Sequence, residues 1–322
     1  MQTQLIIDDL KGNLYEIPHS QIRWKTQRVG RAGSLEFTYI GGDVFTVPLN
    51  IENGNVILLR RDGKNVFYGY VRSIASDDGV RKVVCYDQLF ALKFKDIKAF
   101  FNKKASEVLA EIAKENGLKL GKVADTKYTI PKAIYNNSEE LFTMVTTHIL
   151  ETTRATGRLY TLLDNCGSID LLDIADTKLD LVIDGDSNLT RYSYTKDIES
   201  DTFNFIKLVK KDSKGGIEKI IVEQDPSTVG KWGRLQYTEV VDEKENIERV
   251  KEKARSLLKA KNKERKSFKL SNVIGDIRCR AGYSVFIDIP KEGIKNYYLI
   301  DKAEHKFTDN EHLMDLELVV MN

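Results

Sequence analysis

The stretch NVILLRRDGKNVFYGYVRSIASDDGVRKVVCY, residues 55–86, decides the fold class. Asn55 to Arg60, Asn65 to Ile74 and Arg81 to Tyr86 are rich in β-branched and aromatic residues, and Asp62-Gly63 and Asp78-Gly79 separate them. An Asp-Gly pair between such runs signals a hairpin, because both central residues of a type I′ turn need positive φ. The two turns in succession predict an antiparallel meander. Gly41-Gly42 and Pro48 punctuate the chain upstream. With the meander they predict a small barrel or sandwich, since closure removes exposed edges.

Beyond Phe94 the texture changes. From Ala105, the residues Val108, Leu109, Ile112 and Ala113 recur at helical spacing, and Gly117 stops the run as a C′ residue. A second helix is predicted to open at Asn137, with Glu140 completing a capping box. Leu141, Phe142, Val145 and Ile149 form its stripe and Gly157 ends it. Between them, Tyr128 to Tyr135 contains Pro131 and reads as a strand or loop. This is a mixed α/β module inserted between β regions.

β structure then resumes. Arg158 to Asp164 and Ser168 to Ile174 flank Asn165-Cys166-Gly167, and Phe203 to Lys211 and Ile217 to Glu223 flank Lys214-Gly215-Gly216. A long helix from Glu245 to about Lys261 carries Ile247, Val250, Ala254, Leu257 and Leu258 on one face. If that stripe is core, Leu257→Ala costs about 2–5 kcal/mol. Ser267 to Val273, Ser284 to Ile289, Tyr297 to His305 and Leu313 to Val320 follow, with turns at Pro290 to Gly293 and Asp309-Asn310. The fold class is therefore α+β, mostly β. It comprises two small antiparallel β-barrel-like units, an inserted mixed α/β helical module, and one long helix in the C-terminal unit. The predicted domains are an N-terminal β-barrel-like domain over 1–96, an α/β module with a returning hairpin over 97–187, and a C-terminal β-barrel-like domain over 188–322. The 5 prolines leave no Pro-rich linker, so these modules are expected to pack together.

Of the 322 residues, 41% are hydrophobic and 30% charged, which supplies a core and excludes global disorder. The longest run free of Asp, Glu, Lys and Arg is Leu141 to Leu150. It is half of the about 20 residues a spanning helix needs, so no membrane insertion is expected. Met1 to Leu10 has no basic stretch, which predicts no secretory signal and a cytoplasmic start. A net charge of +2 lacks the cationic excess that phosphate neutralisation demands, so no nucleic-acid binding is expected. Cys85, Cys166 and Cys279 lie far apart without a CxxC spacing. They read as small buried hydrophobes in a reducing compartment and not as a zinc site.

There is no GxSxG, no HExxH and no serine or cysteine with an obvious local partner, while the abundant carboxylates leave open a glycosidase pair assembled in space. His148 falls inside a helical stripe and reads as a core histidine. His305 and His312 frame an acidic turn with Glu304, Asp309 and Glu311, but no third nitrogen or thiolate ligand stands nearby. His19 has no partner motif. Asp184-Gly185-Asp186-Ser187-Asn188 opens like a calcium loop, then fails at Leu189 and Thr195. Gly30 and Gly33 form a GxxG without a following GK[ST], and read as turn or bulge glycines. The basic run from Lys244 to Lys266 has acids interleaved and reads as a solvated helix face. No catalytic, cofactor-binding or metal residue is assigned, and no cofactor is expected.

Several stretches taken in order resemble a known family. They are Gly30-Arg31-Ala32-Gly33-Ser34-Leu35, Phe67-Tyr68-Gly69-Tyr70-Val71, Val84-Cys85-Tyr86-Asp87-Gln88-Leu89, and Asp184-Gly185-Asp186-Ser187-Asn188-Leu189. Gly230-Lys231-Trp232-Gly233-Arg234-Leu235-Gln236 and the tail from His305 to His312 into Met314-Asp315-Leu316-Glu317 complete the set. The pattern resembles the XkdQ/YqbQ family of prophage tail proteins, which is similar to late-control-D and VgrG-type baseplate hub proteins of contractile tails. The resemblance implies a non-enzymatic hub, a homotrimer joining the tail tube protein to the central spike protein. Other baseplate proteins and the tape measure protein are its further partners, and it passes from the cytoplasm into a virion or tail-like particle. Two rival classes fit the same composition. An OB-like nucleic-acid-binding module would show salt-dependent retention on single-stranded DNA. A peptidoglycan hydrolase or cell-wall-binding tail component would clear a cell-wall suspension or be retained on it.

Overall fold

The computed structural model describes residues 2–18, 21–28, 31–40, 51–185, 191–199, 201–212, 216–241, 245–308 and 311–320. Both Asp-Gly turns form: Asp62 and Gly63 sit at φ 48° and 76°, Asp78 and Gly79 at 42° and 79°. The strands they join, Val56–Arg61, Lys64–Asp77 and Val80–Tyr86, pair antiparallel in that order. On one side the sheet continues through Thr3–Asp8 to Leu14–Glu16, on the other through Ser34–Ile40 to Ile22–Gln27. Gly41-Gly42 and Pro48 lie outside the described residues.

Ile22–Gln27 then pairs antiparallel with Ile294–Phe307, placing Trp24 opposite His305. The ladder runs on through His312–Val320 and Arg265–Ile274 to Arg191–Asp197, making a 13-stranded sheet. This corrects the expectation that the β units are barrel-like. Among the described residues no sheet closes into a barrel. An open β edge is a liability, and here each β region covers an edge of the other instead of closing on itself. Alternation along these strands buries Leu5, Ile7, Leu35, Phe37, Phe67 and Phe307 in one core. The fold is mostly β, of the α+β class.

Contacts group the chain into two compact units, Met1–Ser193 with Phe268–Asn322, and Tyr194–Ser267. Within the first lies the helical module. Its helix α1 spans Ala105–Glu115, where the Glu107 carboxylate accepts from the Lys104 backbone N–H at 2.8 Å, and Gly117 follows at φ 63°. Helix α2 spans Leu141–Thr156 and stops at Gly157 in the left-handed region. Its start is three residues later than the capping box predicts, with Glu140 and not Asn137 as the N-cap. Thr129–Glu140 is instead a strand paired with Lys95–Lys104, irregular between Tyr135 and Glu139, with Ser138 at φ 57°. Asn and Ser suit a bulge as well as a cap, and cross-strand pairing decided between them. Phe100, Val108, Leu109, Met144, Val145 and Leu171 fill the module's core.

The second unit is a small sheet ordered Ile217–Gln224, Phe205–Lys211, Gln236–Val241, its first pair antiparallel and its second parallel. Helix α3, Pro226–Trp232, precedes the last strand, and helix α4, Ile247–Lys261, follows it. Asn246 caps α4 by accepting from the Glu248 N–H at 2.9 Å. One face of the sheet meets α4: Ile206, Leu208, Ile221 and Val241 pack with Val250 and Ala254. Ile247, Leu257 and Leu258 are only half-buried, at the rim of that contact. The fully buried stripe is thus narrower than its periodicity predicts. Val250→Ala is expected to cost about 2–3 kcal/mol and Leu257→Ala about 1 kcal/mol. Urea unfolding of the two variants checks the order, and a larger loss at Leu257 would contradict it.

Candidate functional site

The densest polar chemistry lies where the meander ends. Asp87 follows Tyr86 in an extended conformation and caps the 3₁₀ turn Gln88–Lys93, its Oδ1 accepting from the Leu89 N–H at 3.0 Å. Its Oδ2 accepts from the Gly33 N–H at 2.8 Å, while the Gly33 carbonyl accepts from the Asp87 N–H at 3.0 Å. A side chain at position 33 would overlap Oδ2, so this glycine serves close approach and not a turn or bulge. Gly30, its partner in the GxxG, lies outside the described residues.

Asp164 arrives from the helical module. It ends the strand Tyr160–Asp164, and its carboxylate accepts from the Gly167 N–H at 3.1 Å and from the backbone N–H groups of Cys166 and Gln88. Arg280, from the C-terminal β region, acts electrostatically on both carboxylates. Both acids and Arg280 line a cavity of about 20 Å³, with Trp24, Phe67 and Leu162 among its walls. Burial, followed by the neighbouring Asp164 charge, pushes Asp87 well above the usual carboxylate range. Burial likewise pushes Asp164 up to about 7. Desolvation thus favours the protonated form of each carboxyl, and for Asp87 the Asp164 charge adds to it. The N–H donors already occupy their oxygens, and 20 Å³ admits no sugar or peptide. The arrangement ties together backbone from three parts of the sequence.

A histidine pair occupies the shared β core. His305 Nε2 lies 2.9 Å from the Cys279 carbonyl, which only accepts, so Nε2 carries the proton. Its bare Nδ1 then accepts from His312 Nε2–H at 2.9 Å. His305 stacks on Trp24 at 4.8 Å between centroids, and His312 on Phe307 at 4.3 Å. Burial lowers His305 to about 4 and His312 to about 3, so both rings are neutral at pH 7. Three of their four ring nitrogens are thus engaged with each other and with Cys279, and among the described residues no three His, Cys, Asp or Glu side chains gather as a metal cluster.

The outward face of the same strands bears a lattice of charge. Lys302 and Lys269 share Glu317 at 2.8 and 3.1 Å, and Lys25 and Lys82 share Glu36 at 2.9 and 3.3 Å. A groove of about 380 Å³ crosses it, lined among others by Arg31, Glu304 and Asp315. Such exposed pairs contribute about 0–1 kcal/mol each, so they favour recognition by pattern over stability.

Other residues singled out in the sequence fall elsewhere. His148 is buried in the module core, its Nδ1 donating to the Met144 carbonyl at 2.7 Å. All three cysteines are free thiols; Cys85 and Cys279 are buried, whereas Cys166 is half-buried at its turn, contrary to the expectation for all three. Asp184 ends a strand, and 186–189 of the calcium-like stretch lie outside the described residues, as do His19, Lys214-Gly215 and Asp309-Asn310. Cations of α4 are tied within their unit, Lys253 to Glu239 at 2.7 Å, Arg255 to Glu223 at 3.2 Å and Lys261 to Asp201 at 2.5 Å. No helix among the described residues is long and apolar enough to cross a membrane. Asp87, Asp164 and Arg280 were not predicted as a group.

This architecture is the fold of prophage tail proteins. The 43 kDa tail protein of prophage MuSo2 from Shewanella oneidensis superposes with a TM-score of 0.71 over 98% of each chain, at 14% identity. A tail protein from Neisseria meningitidis MC58 gives 0.72 over 99% of this chain and 97% of its own, at 12% identity. The E. coli c3393 protein, described as a type VI secretion component similar to the T4 tail proteins gp27 and gp5, gives 0.60 at 8% identity, covering 99% of this chain and 77% of its own. In sequence, a YQBQ-like family model matches residues 22–319, and the chain belongs to that family. Two Bacillus subtilis (strain 168) proteins are similar to it. YqbQ, described as uncharacterized, is 29% identical over 85% of this chain and 83% of its own length. The phage-like element PBSX protein XkdQ is 26% identical over 97% of this chain and 91% of its own.

Proposed function

We propose that this chain is a structural protein of a phage tail or phage-tail-like particle, and within it the baseplate hub. In this reading three copies form a ring that joins the tail tube to the central spike, assembled in the cytoplasm and carried in the particle. Partners are the tube and spike proteins, other baseplate proteins and the tape measure protein. The chain has no catalytic activity of its own. Its division into two β domains over 1–96 and 188–322 around a module at 97–187 belongs to the same reading, since two β domains per chain let three copies meet a sixfold tube. The observation that supports it most is family membership across residues 22–319, shared with a relative named for a phage-like element.

Co-expression with the spike protein encoded beside it, followed by native mass spectrometry, tests the proposal. Three copies per complex are expected, because a ring meeting a threefold spike must close with that symmetry. Partners bring subunits above their dissociation constant, so the lone chain need not assemble. A stable complex with two or six copies would overturn the trimer. Turnover of peptidoglycan by pure protein, abolished by one carboxylate substitution, would overturn the non-enzymatic role.

A further inference from the structure

We propose that the outward face of the sheet in the second unit is an assembly surface for a second copy of this chain, and that it receives that copy's hairpin at residues 8–16. The inference rests on the ring reading above. Helix α4 covers one face of this sheet; the other carries cross-strand rows. Val240, Val209 and Ile220 form one row, and Thr238, Lys207 and Val222 the next. Ile217, Ile220, Val222 and Val240 are 64%, 45%, 44% and 54% exposed. A solvated sheet face is normally polar by alternation. β-branched residues in adjacent rows instead make a patch of the kind that marks an interface.

Charge selects the occupant. The rows from Phe205 to Lys211 and their cross-strand partners hold Lys207 and Lys211 and no carboxylate, and the Arg234 guanidinium lies 3.6 Å over the Phe205 ring. The face is therefore apolar and cationic, and two such faces would repel each other. Its complement is an apolar knob rimmed by acids, and the chain displays one. Leu10 and Leu14 are 63% and 70% exposed at a hairpin bordered by Asp8, Asp9 and Glu16, whose one cation, Lys11, is paired with Glu52 at 3.6 Å. The hairpin is held firmly: Asp8 Oδ1 accepts from the Leu10 N–H and Asp9 Oδ1 from the Lys11 N–H, both at 2.8 Å. Leu10 is fixed there at φ 60°, a conformation a leucine rarely adopts. Knob and face are different patches of one chain, so their contact is heterologous and generates a ring when its rotation closes.

The test uses full-length chains, all carrying Cys166→Ser, with the spike protein present. One chain carries Leu14→Cys and the other Ile220→Cys. The mixture is expected to yield a disulfide-linked pair that neither chain yields alone. Separately, Ile220→Glu with Val240→Glu should weaken assembly by about ten-fold or more in sedimentation velocity, with the unfolding midpoint unchanged. The charge exchange Lys207→Glu with Glu16→Lys, which leaves the turn's Asp8 and Asp9 acceptors in place, should assemble better than either single change. Wild-type assembly by the double-glutamate variant, or no cross-link beyond that of the separate chains, would overturn the inference while leaving the ring intact. Failure of wild-type chains to form any multimer with the spike would overturn the ring reading and this inference with it.

Discussion

Between pH 7 and pH 4 the His305 ring alone is expected to remove about 3 kcal/mol from the stability of its unit. Its folded-state value of about 4 lies below the ordinary 6.5, because burial opposes the imidazolium. The unfolded chain therefore takes up a proton below about pH 6.5 that the folded chain refuses until about pH 4. Stability is fully present above 6.5 and is lost as pH falls through that window. His312 acts in the same direction, lowered by burial, by His305 and by Arg61, while Asp276 and Asp62 oppose. The carboxylate pair works the other way: Asp164, raised to about 7, contributes stability at low pH that is lost as pH rises through 7. Wild-type stability alone would blend the two. His305→Phe separates them, because the carboxylates act equally on both proteins. The variant should be less stable at pH 7, where the Cys279 carbonyl and the His312 N–H lose their partner, and this deficit should shrink toward pH 4. Urea midpoints across the range measure it, and a deficit constant with pH would contradict the assignment.

Removing the Asp87 carboxylate is expected to be as damaging. Asp87→Ala strands the Gly33 and Leu89 N–H groups beside a buried cavity, and each unsatisfied donor costs about 1–3 kcal/mol. A total loss of about 2–6 kcal/mol follows. Asp87→Asn keeps the shape and one acceptor, so it should fall between wild type and alanine. A loss below about 0.5 kcal/mol for the alanine variant would show that the junction is not held by this side chain. Asp164→Asn should in turn lower the pH at which Asp87 titrates, since the Asp164 charge is part of what raises it. Carboxyl carbon resonances of Asp87 would report that shift directly.

Local chemistry was legible in the sequence wherever a few neighbouring residues carry the whole instruction. The two Asp-Gly turns, the end of α1 at Gly117 and the end of α2 at Gly157 depend only on which backbone conformations a residue tolerates, and each stands where it was read. Ser284–Ile289 is likewise marked out by its β-branched run and by Pro290. The order of short segments along the chain, none specific alone, was enough to identify the family. Where two local structures compete for the same residues, tertiary contacts decided. Asn137 and Ser138 went to a bulge because Lys95–Lys104 offered a ladder, and three of the five α4 stripe residues stayed at a rim because the sheet beneath it is small.

What no window of sequence contains is the pairing of Ile22–Gln27 with Ile294–Phe307, about 280 residues apart, that makes one sheet of two β regions. The same holds for the carboxylates. Asp87 and Asp164 each look like an ordinary turn residue, and their raised affinity for protons exists only once Arg280, Gly33 and the module are brought around them. His305 and His312 suggested a metal site by composition, yet folding spends their nitrogens on each other. Periodicity and turn chemistry are short-range and so are written in the chain; edge covering, burial and charge coupling are long-range and are set by the folded structure.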